Sequence, residues 1–220
     1  MTFKIYCDGS ARNNGYEDAI GGYGYIVVDS ATDSIVARFV EREKNTTNQR
    51  CELLAILSAC SYVEENELSD FVIYTDSAYC FNAWRDKWYV RWEKNNRWLT
   101  SKGEPVKNSD LWKRLVPYYK NTTFKFEKVK GHDTNYYNNF IDSLVTTISK
   151  KDINYLQGQT FGSLECLSLW GNKFTEGTGT LYWLCKCNSC GKTLPIASGN
   201  LINGQKSCGC IKPDHSKDLS

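Results

Sequence analysis

The chain has 220 residues, 41% hydrophobic and 24% charged, which excludes a disordered or collagen-like polymer and leaves room for one ordinary domain plus a small second unit. No apolar run is long enough to cross a bilayer, and MTFKIYCDGS lacks the basic start and apolar centre of a signal peptide, so the expected location is the cytosol, with no membrane partner. The net charge of +2 conceals an asymmetry: residues 1–80 carry 6 basic against 13 acidic residues, and residues 81–130 carry 13 against 5. An acidic block followed by a basic block is what a metal site beside a phosphate-binding surface would produce.

In chain order, FKIYC (3–7) reads as a short apolar strand, GGYGYIVVDS as a second and SIVARFVER as a third. No long crossover separates them, so an antiparallel meander is expected. Residues 48–63 have helical periodicity, with apolar positions at 53, 54, 56, 57, 60 and 63. DFVIYTD is an apolar strand that stops at Asp76, and SAYCFNAW begins a helix capped by Ser77 or Asp76. NSDLWKRLVPYY is a further helix, TFKFEKVKG a fifth strand and NYYNNFIDSLVTTISK a final helix. The order, written βββαβαβα, describes a mixed sheet with helices on its faces. After about residue 150 come a linker, short β segments, a Gly/Thr hairpin signal in NKFTEGTGT and a cysteine cluster, which gives a division into 1–150 and 151–220.

Four carboxylates stand where carboxylates are costly. Asp8 ends the first strand, Glu52 shares a helix face with Ile56, Cys60 and Val63, Asp76 ends the most apolar strand, and Asp142 lies between Ile141 and Leu144. Each has an ordinary reading: a turn former, a first-turn acid, an N-cap, a solvated helix residue. Pattern alone does not make the four converge.

The segments CDGSARNN, TNQRCELLAI, IYTDSAYC, KGEPVKNSDLWKRL, VKGHD and NNFIDSLV stand in the order and spacing of type 1 ribonuclease H, which the chain resembles over residues 1 to about 148. The resemblance implies the ribonuclease H fold, a five-stranded mixed sheet flanked by helices. It implies cleavage of the RNA strand of RNA–DNA hybrids to 5′-phosphate and 3′-hydroxyl ends. It makes Asp8, Glu52, Asp76 and Asp142 the metal-binding carboxylates, and oxygen-only ligands of this kind suit two Mg²⁺ or Mn²⁺ ions. His132 matches the family's mobile catalytic histidine, a proton-transfer role. Asn14, Asn48 and Gln49 match positions touching sugars and base edges, where amides can mark the 2′-hydroxyl of RNA. Thr47 matches a contact to the DNA phosphate, and Asn138 a residue beside the catalytic aspartate.

WRDKWYVRWEKNNRWLTSKG mixes four Trp with six Lys or Arg and stands where the family carries a basic protrusion. That makes Trp88, Trp92, Lys94 and Arg97 candidates for gripping the DNA strand, against the ordinary reading of a helix that uses Trp as core. Two departures stand out: the loop GYEDAIGG is longer than the family's compact turn, and NNFID puts Asn139 where many members have an acid.

In the tail, WLCKCNSCGK and GQKSCGC contain C-x-C-x2-C followed by C-x-C. In a reducing compartment such crowding points to structural Zn²⁺ held by four thiolates. Cys187 and Cys190 have the common knuckle spacing and Cys208 and Cys210 complete the set, with Cys185 in reserve; His215 in the polar tail reads as solvated. The stretch is similar to cysteine-rich modules ending in SCGC on bacteriophage nucleases and DNA-binding proteins, which implies a phage or bacterial source and a DNA contact. The alternative function is a non-catalytic nucleic-acid binder on the same fold. A polymerase-linked nuclease is disfavoured by length. A monomer is expected.

Overall fold

The computed structural model describes residues 2–14, 16, 18–94, 98–131, 135–150, 156–170 and 182–210. The assignments made above for Arg97, His132, His215 and the 172–180 hairpin lie outside those residues. The chain divides into two compact units, Met1–Asp152 and Ile153–Ser220.

The first unit is a five-stranded mixed sheet of order β3-β2-β1-β4-β5. Strands β1 (Phe3–Arg12), β2 (Ile20–Asp29) and β3 (Ser34–Lys44) form the expected antiparallel meander, and β4 (Phe71–Thr75) and β5 (Phe126–Lys128) add in parallel. Helix α1 (Asn48–Glu65) follows β3. Between β4 and β5 stand three helices where the segments read from the sequence gave two and the written order one: α2 (Ala78–Arg85) and α4 (Ser109–Lys120), which the sequence reading named, and α3 (Trp88–Glu93), which it did not. The chain breaks between α2 and α3 because Lys87 takes a left-handed backbone, φ +50°. Helix α5 (Tyr136–Lys150) closes the unit.

The two faces of the sheet carry separate helix layers. Ile5 and Cys7 of β1 point into a core shared with Leu53, Ile56 and Cys60 of α1 and Trp112 and Leu115 of α4. Period-two alternation sends Tyr6 to the other face, where it stacks on Tyr74 of β4 at 4.9 Å and Tyr137 of α5 at 5.5 Å. With both faces covered, β2 is buried from Gly21 to Asp29, which is why it shows no hydrophobic alternation.

Two strands differ in length from their sequence reading. β1 runs on to Arg12 because β2 pairs with it along its whole length, so Asp8 is not at the strand's end. β5 is three residues long, and its C-terminal end matches that of its neighbour β4, which stops at Thr75, level with Lys128.

The second unit is an antiparallel four-stranded sheet of order β6-β7-β8-β9, built from β6 (Thr160–Phe161), β7 (Leu164–Trp170), β8 (Tyr182–Cys187) and β9 (Thr193–Ala197), with a short helix α6 (Ser198–Ile202) after it. Leu164, Cys166, Trp183, Cys185, Ile196 and Leu201 form its small core.

Candidate active site

Strand register brings two of the four carboxylates level. Tyr6 is paired with Tyr74 in the parallel β1–β4 ladder, so Asp8 and Asp76 each stand two residues further on, on the same sheet face. Asp8 thus lies past the end of its parallel pairing although its strand continues. Its side chain is 8% exposed, and Oδ1 accepts from the Gly9 N–H at 2.7 Å.

Two glycines let helices reach this level. A Cβ on Gly9 would lie 2.2 Å from the Cys51 carbonyl carbon and 2.4 Å from the Glu52 nitrogen, so the first turn of α1 rests directly on β1. A Cβ on Gly22 would lie 2.2 Å from the Val145 carbonyl oxygen, so α5 rests equally closely on the other face. Close backbone approach of this kind requires glycine. Glu52 and Asp142 ride on those two helices.

Glu52 is oriented by Ser77, whose hydroxyl donates to Oε2 at 2.6 Å while accepting from the Cys80 N–H at 3.3 Å. Ser77 is therefore the cap of α2 and also the partner of a site carboxylate. The sequence suggested only the cap, because capping is a local relation and the bond to Glu52 spans 25 positions. Asn138, 1% exposed, donates from Nδ2 towards Asp76 Oδ2 at 3.5 Å, and its own Oδ1 is buried without a partner. A Cβ on Gly131 would lie 3.0 Å from Asp76 Oδ2, so the chain passes against Asp76 one residue before His132.

The electrostatics report convergence. Burial, and then the charges of Asp76, Asp142 and Glu52, push the Asp8 carboxyl well above the usual carboxylate range. Burial also raises Glu52, opposed by the Ser77 hydrogen bond and reinforced by the charge of Asp76. Acids repelling one another at a buried site are relieved by protonation or by bound positive charge.

Beside Glu52 a groove of about 760 Å³ is lined by Asn14, Thr47, Asn48, Gln49, Tyr79 and Lys107, among others. Asn48 Oδ1 accepts from the Ala11 N–H at 2.6 Å, and the Asn48 N–H donates to Asn14 Oδ1 at 3.0 Å, so the two asparagines are locked together. Thr47 caps α1 by accepting from the Arg50 N–H at 3.2 Å.

The matching family model is RNase H, over residues 2–150. The chain belongs to the RNase H family. Among its relatives, the ribonuclease H of Clostridium botulinum is 41% identical over 64% of this chain and 90% of its own length, and that of Caldicellulosiruptor saccharolyticus is 40% identical over 67% and 95%. The fold is shared with a type 1 RNase H that carries the type 2 active-site motif, at TM-score 0.57 and 24% identity over 68% of this chain and 72% of that one.

In this RNase H, α3 and the turn after it border a second groove of about 420 Å³, lined by Trp88, Arg91, Trp92 and Lys107 among others. Trp92 is 8% exposed and packs 5.1 Å from Trp112 and 6.1 Å from Trp88, so it serves the core and shows little surface to a ligand. Trp88 is half-buried and Lys94 exposed. Arg91 and Lys107 stand inside two quoted segments, WRDKWYVRWEKNNRWLTSKG and KGEPVKNSDLWKRL, but were not singled out there, because which residues of those segments share a groove is settled by the fold.

In the tail the sulfurs of Cys187, Cys190, Cys208 and Cys210 all lie within 4.8 Å of one another. A tetrahedral thiolate site with metal–sulfur bonds of about 2.3 Å needs sulfurs about 3.8 Å apart; Cys187 and Cys210 are at 3.6 Å, Cys190 and Cys208 at 3.4 Å. The group could therefore hold a metal ion. Cys185 is elsewhere: it faces Cys166 across β7–β8, with sulfurs 3.6 Å apart in the core. Its partner Cys166, far away in sequence, gave no signal. The Ser163 hydroxyl, ahead of the Ser189 and Cys190 N–H groups, draws the Cys187 thiol down to about 5.

Proposed function

We propose that the first unit hydrolyses the RNA strand of RNA–DNA hybrids, leaving 5′-phosphate and 3′-hydroxyl ends. The observation that carries this is the convergence of Asp8, Glu52, Asp76 and Asp142 beside a groove lined by Asn14, Asn48 and Gln49. Those four carboxylates would hold two Mg²⁺ or Mn²⁺ ions: the donors are all oxygen, and the raised Asp8 and Glu52 mark a cluster short of positive charge. When bound, such ions supply an activated water and offset the charge developing on the leaving oxygen.

The chain's own groups do the positioning. Ser77 holds Glu52 in one orientation and favours its ionised form. Asn138 restrains Asp76. Asn14, Asn48 and Gln49 offer donors and acceptors to the 2′-hydroxyls, and the lock between Asn14 and Asn48 fixes their geometry before substrate arrives. Thr47 and the basic–aromatic segment with Trp88, Lys94 and Arg97 follow the DNA strand, while Trp92 packs in the core and supports Trp88. His132 takes the proton-transfer role.

The second unit holds Zn²⁺ through Cys187, Cys190, Cys208 and Cys210 and adds a nucleic-acid contact, DNA being the expected target. Zinc supplies much of its folding free energy because its core is small. A monomer in a reducing, cytosolic compartment suits ten unpaired cysteines. The test is to incubate the protein with Mg²⁺ and labelled RNA–DNA, RNA–RNA and DNA–DNA duplexes. Cutting of the RNA strand of the hybrid alone is expected; tight hybrid binding without cutting would select the non-catalytic alternative.

A further inference from the structure

The thiolate cluster has a neighbour that no cysteine pattern reveals. The turn between β6 and β7 is Phe161–Gly162–Ser163–Leu164, and it touches both halves of the cluster. The Ser163 N–H donates to the Lys206 carbonyl at 2.8 Å, two residues before Cys208. The Ser163 carbonyl accepts from the Asn188 N–H at 2.7 Å, between Cys187 and Cys190. The hydroxyl lies 3.5 Å from Cys187 Sγ and 3.1 Å from the Lys206 carbonyl oxygen. One residue, distant in sequence from all four cysteines, therefore bridges the two knuckles.

Gly162 makes that contact possible. Its φ is +61°, and a Cβ there would lie 2.4 Å from the Lys206 carbonyl oxygen. A side chain would be strained by the backbone and would drive Lys206 away.

A serine hydroxyl has one proton and two candidate acceptors here. The Lys206 carbonyl already receives the Ser163 N–H, so it stays satisfied if the hydroxyl turns away. A metal-bound sulfur has no proton to give, so in its contact with Cys187 the hydroxyl must be the donor. We propose that Ser163 is a positioning residue of the tail's metal site: it orients Cys187 by an O–H···S bond and, with Gly162, sets the spacing of the two knuckles. The metal unit then begins at residue 160, well before the first clustered cysteine. This rests on the reading of the four thiolates as a metal site.

Hydrogen-bond partners of metal ligands typically change affinity about 10–100-fold. The experiment titrates the full chain with Zn²⁺ against a chromogenic chelator and records the thiolate-to-metal charge-transfer bands of the Co²⁺ form. Ser163→Ala should bind about 10–100-fold more weakly and shift those bands, because a thiolate without its donor is a stronger electron source. Ser163→Thr, which keeps the hydroxyl, should restore both. Gly162→Ala should weaken binding with the hydroxyl retained, and it answers the question if Ser163→Ala fails to fold. Unchanged affinity and bands in Ser163→Ala, or equal weakening in Ser163→Ala and Ser163→Thr, would overturn the role of Ser163 and leave the metal site standing. Wild-type affinity in Gly162→Ala would overturn the role of the turn. A wild-type chain that binds neither metal would reject the site itself, and the proposal with it.

Discussion

Asp8→Asn separates the catalytic and structural consequences of gathering four carboxylates. Asparagine keeps the volume and the oxygen that accepts from the Gly9 N–H, and removes a charge that Asp76, Asp142 and Glu52 repel at a site only 8% exposed. The folded state raises the Asp8 carboxyl above its unfolded value. Below the unfolded value both states are protonated and the residue is neutral to stability. As pH rises through the interval, the unfolded chain releases its proton first, so stability falls, and the full penalty is present above the folded value. Each pH unit of that interval is worth about 1.36 kcal/mol. In EDTA at pH 7 the variant should therefore be more stable than the parent by at least on the order of 1 kcal/mol, or about 2–4 °C in the melting temperature per kcal/mol. The gain should shrink as pH drops towards 4 and reverse in Mg²⁺, where the parent gains a ligand. Hybrid cleavage should fall by about 10³-fold or more, since the charge stabilisation lost is several kcal/mol. Thermal melts across pH with and without Mg²⁺, together with initial rates on a labelled hybrid, measure both effects. Near-parental turnover would sink the metal assignment, and an unchanged melting curve in EDTA at pH 7 would show that the carboxylates do not repel one another.

His132→Ala should slow cleavage by about 10²–10⁴-fold without abolishing it, since water can partly replace a proton carrier; an unchanged rate at neutral pH would reduce His132 to a loop residue. Gly22→Ala places a methyl 2.2 Å from the Val145 carbonyl oxygen and should cost about 1–3 kcal/mol. It should also lower turnover by shifting Asp142 on the same helix; activity retained at full stability would refute the close-approach argument. Chelation of zinc, close to one ion per chain, should raise hydrogen exchange in Ile153–Ser220 and leave Met1–Asp152 protected. A chain ending near residue 150 should keep its turnover at saturating hybrid with a raised KM, and an unchanged KM would reject a binding role for the tail.

The sequence by itself determined the meander, helices α1, α2, α4 and α5, the six motifs and the crowding of cysteines, because periodicity, capping and metal-ligand spacing are local relations. It singled out Asp8, Glu52, Asp76 and Asp142 as costly and placed them by resemblance, but nothing local could bring them together. Tertiary structure decided that. The β1–β4 register sets Asp8 level with Asp76, and Gly9 and Gly22 admit the two helices that carry Glu52 and Asp142. It also decided between alternatives that spacing left open. Ser77 and not Asp76 caps α2, Trp92 goes into the core, and Cys185 faces Cys166 as a free thiol in the tail's core and so stands apart from the four clustered thiols. The partners in these relations, Glu52 with Ser77, Trp92 with Trp112 and Cys185 with Cys166, stand many residues apart. Which side chains meet at that distance depends on how strands register and helices dock, and a single sequence carries no direct trace of either.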